Sequence, residues 1–249
     1  YFQVMTSELA FALSPRVLSP AKTLGFGGFE ISFLTSFHLI HNQEPYWNVT
    51  EQGNPTGGLQ SVHFQARKGL PLGFEISTNV GQILSSNMYA IGGGLKFALS
   101  EGYFVIPDFS TGLSINRLLG ARDLDMTMGS IDFIASKAFG IQAMTTLIPH
   151  LGYSLLMTNV ASHIIDPTPA SIGIEQASRN VVFEEQPIFD NKAHKIVVGT
   201  TATMFIFSLA AEWSYYIGKS VTYISPTDGS SAEYSPNLQT FSLKLSVGF

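Results

Sequence analysis

From Phe241 to the last residue, every second side chain is apolar: Phe241, Leu243, Leu245, Val247 and Phe249. Thr240, Ser242, Lys244, Ser246 and Gly248 fill the alternate positions. Successive residues of a strand point to opposite faces, so this stretch carries one apolar and one polar face. A helix would scatter the same residues around its circumference. The segment is therefore a strand that wants an apolar environment on one side only. A soluble sandwich core supplies that, and so does lipid. The pattern of the remaining chain decides between them.

Charged residues make up 12% of the chain, against about 25% in an ordinary soluble domain. Hydrophobic residues make up 45%, and the mean hydropathy is +0.21. Yet no stretch reads as a spanning helix, which needs about 20 apolar residues. The best candidate, Ile196 to Ala211, carries Gly199, Thr200, Thr201 and Thr203 and runs into Glu212. A β-barrel accommodates such a composition, because its lipid-facing residues are spaced two apart. The net charge of −5, with Lys and Arg scattered, leaves no nucleic-acid footprint. The absence of cysteine excludes disulfides and thiolate metal sites, and suits a chain that crosses an oxidising periplasm.

Along the chain, Tyr1-Phe2-Gln3 looks like an expression-tag remnant, and residues 1–5 are set aside on that ground. Residues 6–22, broken by Pro15 and Pro20, form an N-terminal segment that either lies in the periplasm or enters the lumen as a plug. Residues 23–249 hold the strands. They are expected at about Leu24–His38, Leu59–Arg67, Leu72–Val80, Tyr89–Leu99, Asp108–Asn116, Ser130–Ser136, Thr146–Leu155, His194–Thr203, Phe207–Tyr215 and the terminal stretch. The count is about ten, with eight and twelve as the alternatives. The join near Met204 to Ile206 has no polar turn residues.

An amphipathic last strand ending on Phe resembles the C-terminal assembly signal of Gram-negative outer-membrane β-barrels. Phe241, Leu243, Leu245, Val247 and Phe249 are the residues that carry the likeness. The resemblance implies an all-β chain forming a single antiparallel up-and-down transmembrane barrel. It implies termini in the periplasm and long loops outside the cell. It also implies contact with outer-membrane lipid and lipopolysaccharide, and recognition by the barrel-assembly machinery through the last strand.

Two features of the sequence agree with this class. The long connections, 42–58, 159–193 and 218–237, are the first, seventh and ninth, so all fall on one end of the barrel. The second, fourth, sixth and eighth are expected to be tight. Eight charges also lie well inside strands: Glu30, Arg67, Glu75, Lys96, Asp108, Asp132, Glu212 and Lys244. All eight fall opposite the aromatic and branched rows. That places them in the lumen, because a charge at the lipid midplane costs about 2–4 kcal/mol. Aromatic girdles are expected at both rims, with Tyr103, Phe104, Phe139, Phe205 and Phe249 at one and Tyr46, Trp47, Tyr89, Tyr153, Tyr215 and Tyr216 at the other.

A barrel of this size is too narrow for a general porin. Its lumen charges either close the pore as a salt-bridged filling or form a constriction for a small polar solute. The expected role is a narrow channel or transporter for small solutes, gated or open. The alternative is a structural or adhesive barrel acting through its loops, with an outer-membrane enzyme third. His38, His63 and His150 face inward, but their spacing supports neither a metal site nor a catalytic grouping, and no nucleophile elbow of the form Gly-x-Ser-x-Gly occurs. No enzyme activity, cofactor or metal is expected. Loop 159–193 is unusually apolar for a solvated loop, with Ile164, Ile165, Val181, Val182, Phe183, Ile188 and Phe189.

Overall fold

The computed structural model describes residues 2–15, 19–40, 57–84, 86–121, 124–141, 144–162, 185–186, 192–224, 231–234 and 237–249. Ten strands form the barrel: β1 Phe29–Leu39, β2 Gly58–Gly69, β3 Phe74–Ile83, β4 Tyr89–Ser100, β5 Asp108–Leu119, β6 Leu124–Ser136, β7 Thr145–Ser162, β8 Lys192–Met204, β9 Phe207–Gly218 and β10 Asn237–Gly248. Each pairs antiparallel with its neighbours in chain order, and β10 returns to pair with β1. The ring is closed, so no strand edge is left exposed. A short strand, Phe139–Ile141, pairs outside this order with β7. Tyr46, Trp47 and nearly all of loop 159–193 lie outside the described residues.

Closure falls on the C-terminal strand. Phe29 and Phe249 exchange two backbone hydrogen bonds, N to O, of 3.0 and 2.8 Å. Their rings stack with centroids 6.3 Å apart. The apolar rows point out: Ile31, Phe33 and Phe37 on β1, Phe241, Leu243 and Leu245 on β10, and their counterparts around the ring are exposed. The eight lumen charges are all buried. A soluble protein would bury these rows and expose the charges, so this is the sidedness of a membrane-spanning barrel. No helix among the described residues is long and apolar enough to cross a membrane, and a barrel crosses with strands.

The connections 40–57, 84–88, 120–123, 163–191 and 219–236 share one end, here the loop end. Connections 70–73, 101–107, 137–144 and 205–206 share the other, the turn end. Two of the turns are longer than the sequence implied. Between β4 and β5, Tyr103, Phe104, Val105 and Ile106 are exposed. Lys137 from the next turn donates to the carbonyls of Tyr103, Phe104 and Ile106. One ammonium thus ties two turns together. The join without polar residues is a two-residue hairpin, with Phe205 at φ 56° supplying the positive φ such a turn requires.

β1 begins five residues later than expected. Gly25 and Gly27 have φ of 74° and 88°, which breaks the extended chain before Phe29. Upstream of this link the chain turns back into the barrel. Helix α1, Phe2–Leu13, begins inside the stretch set aside as a tag remnant. Its residues Leu9 to Leu13 are buried among lumen-facing side chains at the loop end. Tyr216 also departs from the expected girdle: its ring is buried in the lumen and stacks on Phe11, with centroids 4.9 Å apart.

Candidate functional site: the occupied lumen

The lumen has a charged half at the turn end and an apolar half at the loop end. The charged half is built by strand parity. Glu30, Arg67, Glu75, Lys96 and Lys244 sit on β1, β2, β3, β4 and β10, which are neighbours in the ring. Register places Glu30 opposite Arg67 and Glu75 opposite Lys96. The side chains form one continuous chain of ion pairs. Lys244 Nζ lies 3.0 Å from Glu30 Oε1, and Arg67 Nη2 lies 2.6 Å from Glu30 Oε2. Arg67 Nη1 lies 2.9 Å from Glu75 Oε1, and Lys96 Nζ lies 3.1 Å from the same oxygen. Arg67 Nε also donates to Glu30 Oε1, so one guanidinium grips two carboxylates. Alternation of sign along the ladder offsets the cost of holding five ions out of bulk water.

Asp108, Asp132 and Glu212 lie on β5, β6 and β9, away from this ladder. Asp108 accepts a bond from the backbone of Gly102, and Asp132 accepts from Ser114 and Ser130. His150 Nε2 lies 3.6 Å from Glu212 Oε2, across Gly199 of the intervening strand. A methyl group at 199 would stand 2.5 Å from His150 Nε2 and 2.9 Å from the carbonyl of Ala211. The variant Gly199→Ala is therefore expected to lose about 1–3 kcal/mol of stability by overpacking. Urea unfolding in lipid vesicles measures this.

The three inward histidines do not converge. His38 Nδ1 bonds Thr240 Oγ1 at 2.9 Å and its Nε2 bonds Ser61 Oγ at 2.9 Å, while His63 Nε2 also meets Ser61 Oγ, at 3.1 Å. His150 sits with Glu212 on other strands. Among the described residues no group of three or more His, Cys, Asp or Glu is placed to hold a metal ion.

Sequence reading missed Lys195. It lies on the lumen face of β8, by the same parity that sends Ile196 and Val198 outward, and it is 1% exposed. The outward assignment of its neighbours already contained the signal. Its Nζ donates to the carbonyl of Pro15 at 3.1 Å and stands 5.7 Å from the Tyr216 ring centroid.

The N-terminal segment runs through this lumen. From the turn end, Leu24 N donates to Glu75, and Thr23 N and Oγ1 to Glu101. Further in, Ala21 N donates to Ser136 Oγ, and Lys96 Nζ reaches the carbonyls of Pro20 and Lys22. Asn116 Nδ2 donates to the carbonyl of Leu13 at 3.0 Å. Wall side chains thus satisfy the irregular backbone that a helix or sheet would otherwise pair with itself. Between segment and wall remains a cavity of about 50 Å³, lined by Pro15, Ser19, Arg67, Glu75, Lys96 and Asp132 among others. That is room for a few waters.

No protein-family model matches the chain, and no curated protein matches its sequence. Solved structures with a similar arrangement include the N-terminal β-barrel domain of OprF from Pseudomonas aeruginosa, 10% identical over 90% of this chain and 99% of that one, with a TM-score of 0.34. The β domain of the Bordetella autotransporter BrkA is 10% identical over 90% of this chain and 100% of that one, with a TM-score of 0.42. The translocator domain of the autotransporter NalP from Neisseria meningitidis is 11% identical over 100% and 94%, with a TM-score of 0.38. The barrel assignment rests on this chain's own strand pairing and sidedness.

Proposed function

We propose that the protein is an outer-membrane β-barrel that works as a narrow, gated channel for small solutes, with the N-terminal segment as its gate. In this reading the turn end faces the periplasm and the loop end faces the outside of the cell. The last strand is the part read by the barrel-assembly machinery, and lipopolysaccharide is among the lipids around the belt. One observation carries the gate: among the described residues, 6–15 and 19–24 lie in the lumen outside the barrel's sheet ladder, against side chains of the wall. Burying Leu9, Phe11 and Leu13 stabilises the seated helix by about 1.5–3 kcal/mol per side chain. Ordering the segment costs about 1–2 kcal/mol per residue. Over the whole segment that cost exceeds what these three side chains return, so the seat also depends on the hydrogen bonds from the wall, and a change in those contacts shifts the seated fraction.

Planar-bilayer recording tests the gate. The full chain is expected to stay mostly closed, and a chain lacking residues 2–24 to conduct in steady steps. If the deletion variant folds and passes no current, the channel reading fails and the barrel is a non-transporting one.

A further inference from the structure

The apolar half of the lumen is a complete collar. Leu59, Ile83, Ala90, Leu118, Met126 and Met128 supply its β2 to β6 side. Leu156, Ala193, Tyr216 and Leu238 supply β7 to β10, and Ile40, directly after β1, closes the ring. A lumen that serves water alone is polar. Here nine strands, and Ile40 directly after β1, turn apolar side chains inward near the loop end, and two of these are adaptable methionines. The present occupant is the apolar part of α1.

Beside Tyr216 of the collar stands Lys195, its register partner on β8. It is a buried ammonium, and among the described residues no carboxylate pairs with it. Its partners are the Pro15 carbonyl and the face of Tyr216. Nearby, Asn116 Nδ2 holds the carbonyl of Leu13, the last residue of α1. A helix C-terminus carries about half a negative charge. The seated segment therefore presents an apolar body to the collar and partial negative charge to Lys195 and Asn116. Burying a cation against neutral partners is costly, and a full anion would suit the position better.

We propose that the collar and Lys195 form a binding site for an anionic amphiphile, a molecule with one negative head and an apolar body, and that α1 fills this site in the ligand's absence. The head takes the place of the Pro15 carbonyl at Lys195, and the body takes the place of Leu9 to Leu13. Binding and seating of α1 are then mutually exclusive, so the ligand unseats the helix. This proposal rests on the gate reading and names the class of solute that operates the gate.

The chain has no cysteine, so one introduced thiol reports the helix. Ser7 is buried in α1. The full-length Ser7→Cys variant in lipid vesicles is treated with a membrane-impermeant maleimide, and the labelling rate is followed by mass spectrometry. Sublytic laurate is expected to raise the rate about tenfold, by shifting the population toward the unseated state. Dodecyltrimethylammonium, with a like tail and the opposite head, should not, and neither should acetate, which has the head without the tail. Adding Lys195→Met should abolish the laurate response. No response to laurate overturns the proposal. So does an equal response to either control compound, or a laurate response that survives Lys195→Met. Should Ser7→Cys fail to fold, saturable binding of radiolabelled laurate to the unaltered chain, lost in Lys195→Met, is the second readout, and its absence is equally decisive. Neither readout is a current. A barrel that conducts after deletion of residues 2–24 yet ignores laurate keeps its gate and loses this ligand class.

Discussion

Replacing Arg67 with Met is expected to lower the unfolding free energy by about 3–5 kcal/mol, the range for breaking a buried pair and leaving its partner charged. Arg67 is the middle of the ladder. It holds Glu30 at 2.6 Å and Glu75 at 2.9 Å, and all three side chains are buried. Its loss leaves the two carboxylates with the terminal lysines, Lys244 and Lys96, at 3.0 and 3.1 Å as their cationic partners. Replacing Lys96 with Met removes one end instead, and Glu75 keeps its guanidinium. That variant should lose about half as much, even though Lys96 also holds the carbonyls of Pro20 and Lys22. Equilibrium urea unfolding in lipid vesicles, read by electrophoretic mobility of the folded barrel, measures both. Equal losses would mean that the place of Arg67 between two carboxylates carries no added weight.

The second large effect concerns the outer face. Leu243 is exposed in the middle of β10, beside Thr35 of β1 and Ala211 of β9. Leu243→Arg is expected to cost about 2–4 kcal/mol in a bilayer, where an outward charge lies at the midplane. Leu119→Arg, outward at the loop end of β5, should cost about 0–1 kcal/mol, because the side chain reaches the interface. The same pair of unfolding measurements separates the two variants. A uniform cost at both positions would contradict a lipid belt, since only a bilayer grades the penalty by depth along a strand.

Much of this architecture was legible beforehand because a barrel strand has a period of two, and a single misplaced residue would reverse every face. Glu30, Arg67, Glu75, Lys96, Asp108, Asp132, Glu212 and Lys244 all reach the lumen, as parity required. The same rule applied to Ile196 and Val198 would have added Lys195. Strand ends were less legible. β6 starts at Leu124 and β7 runs to Ser162, each deep in what read as loop, because there Met126, Met128, Leu156 and Val160 face inward while Asp125, Thr127 and Asn159 face outward, the reverse of the pattern that marks a spanning strand. Tyr216 was misplaced for a related reason. Its parity with Glu212 and Ser214 points it inward, and there it stacks on the seated Phe11.

The sequence alone determined that the strands alternate, which side chains face out, and that the last strand ends on an apolar row. Those follow from local stereochemistry and the cost of charge in lipid. Which lumen charges meet was decided by the register of the ring, because partners such as Lys244 and Glu30 stand 214 residues apart in the chain. That the N-terminal segment lies inside the barrel was decided there too. Its apolar residues match a collar assembled from ten separate strand ends, and that collar exists only once the ring has closed.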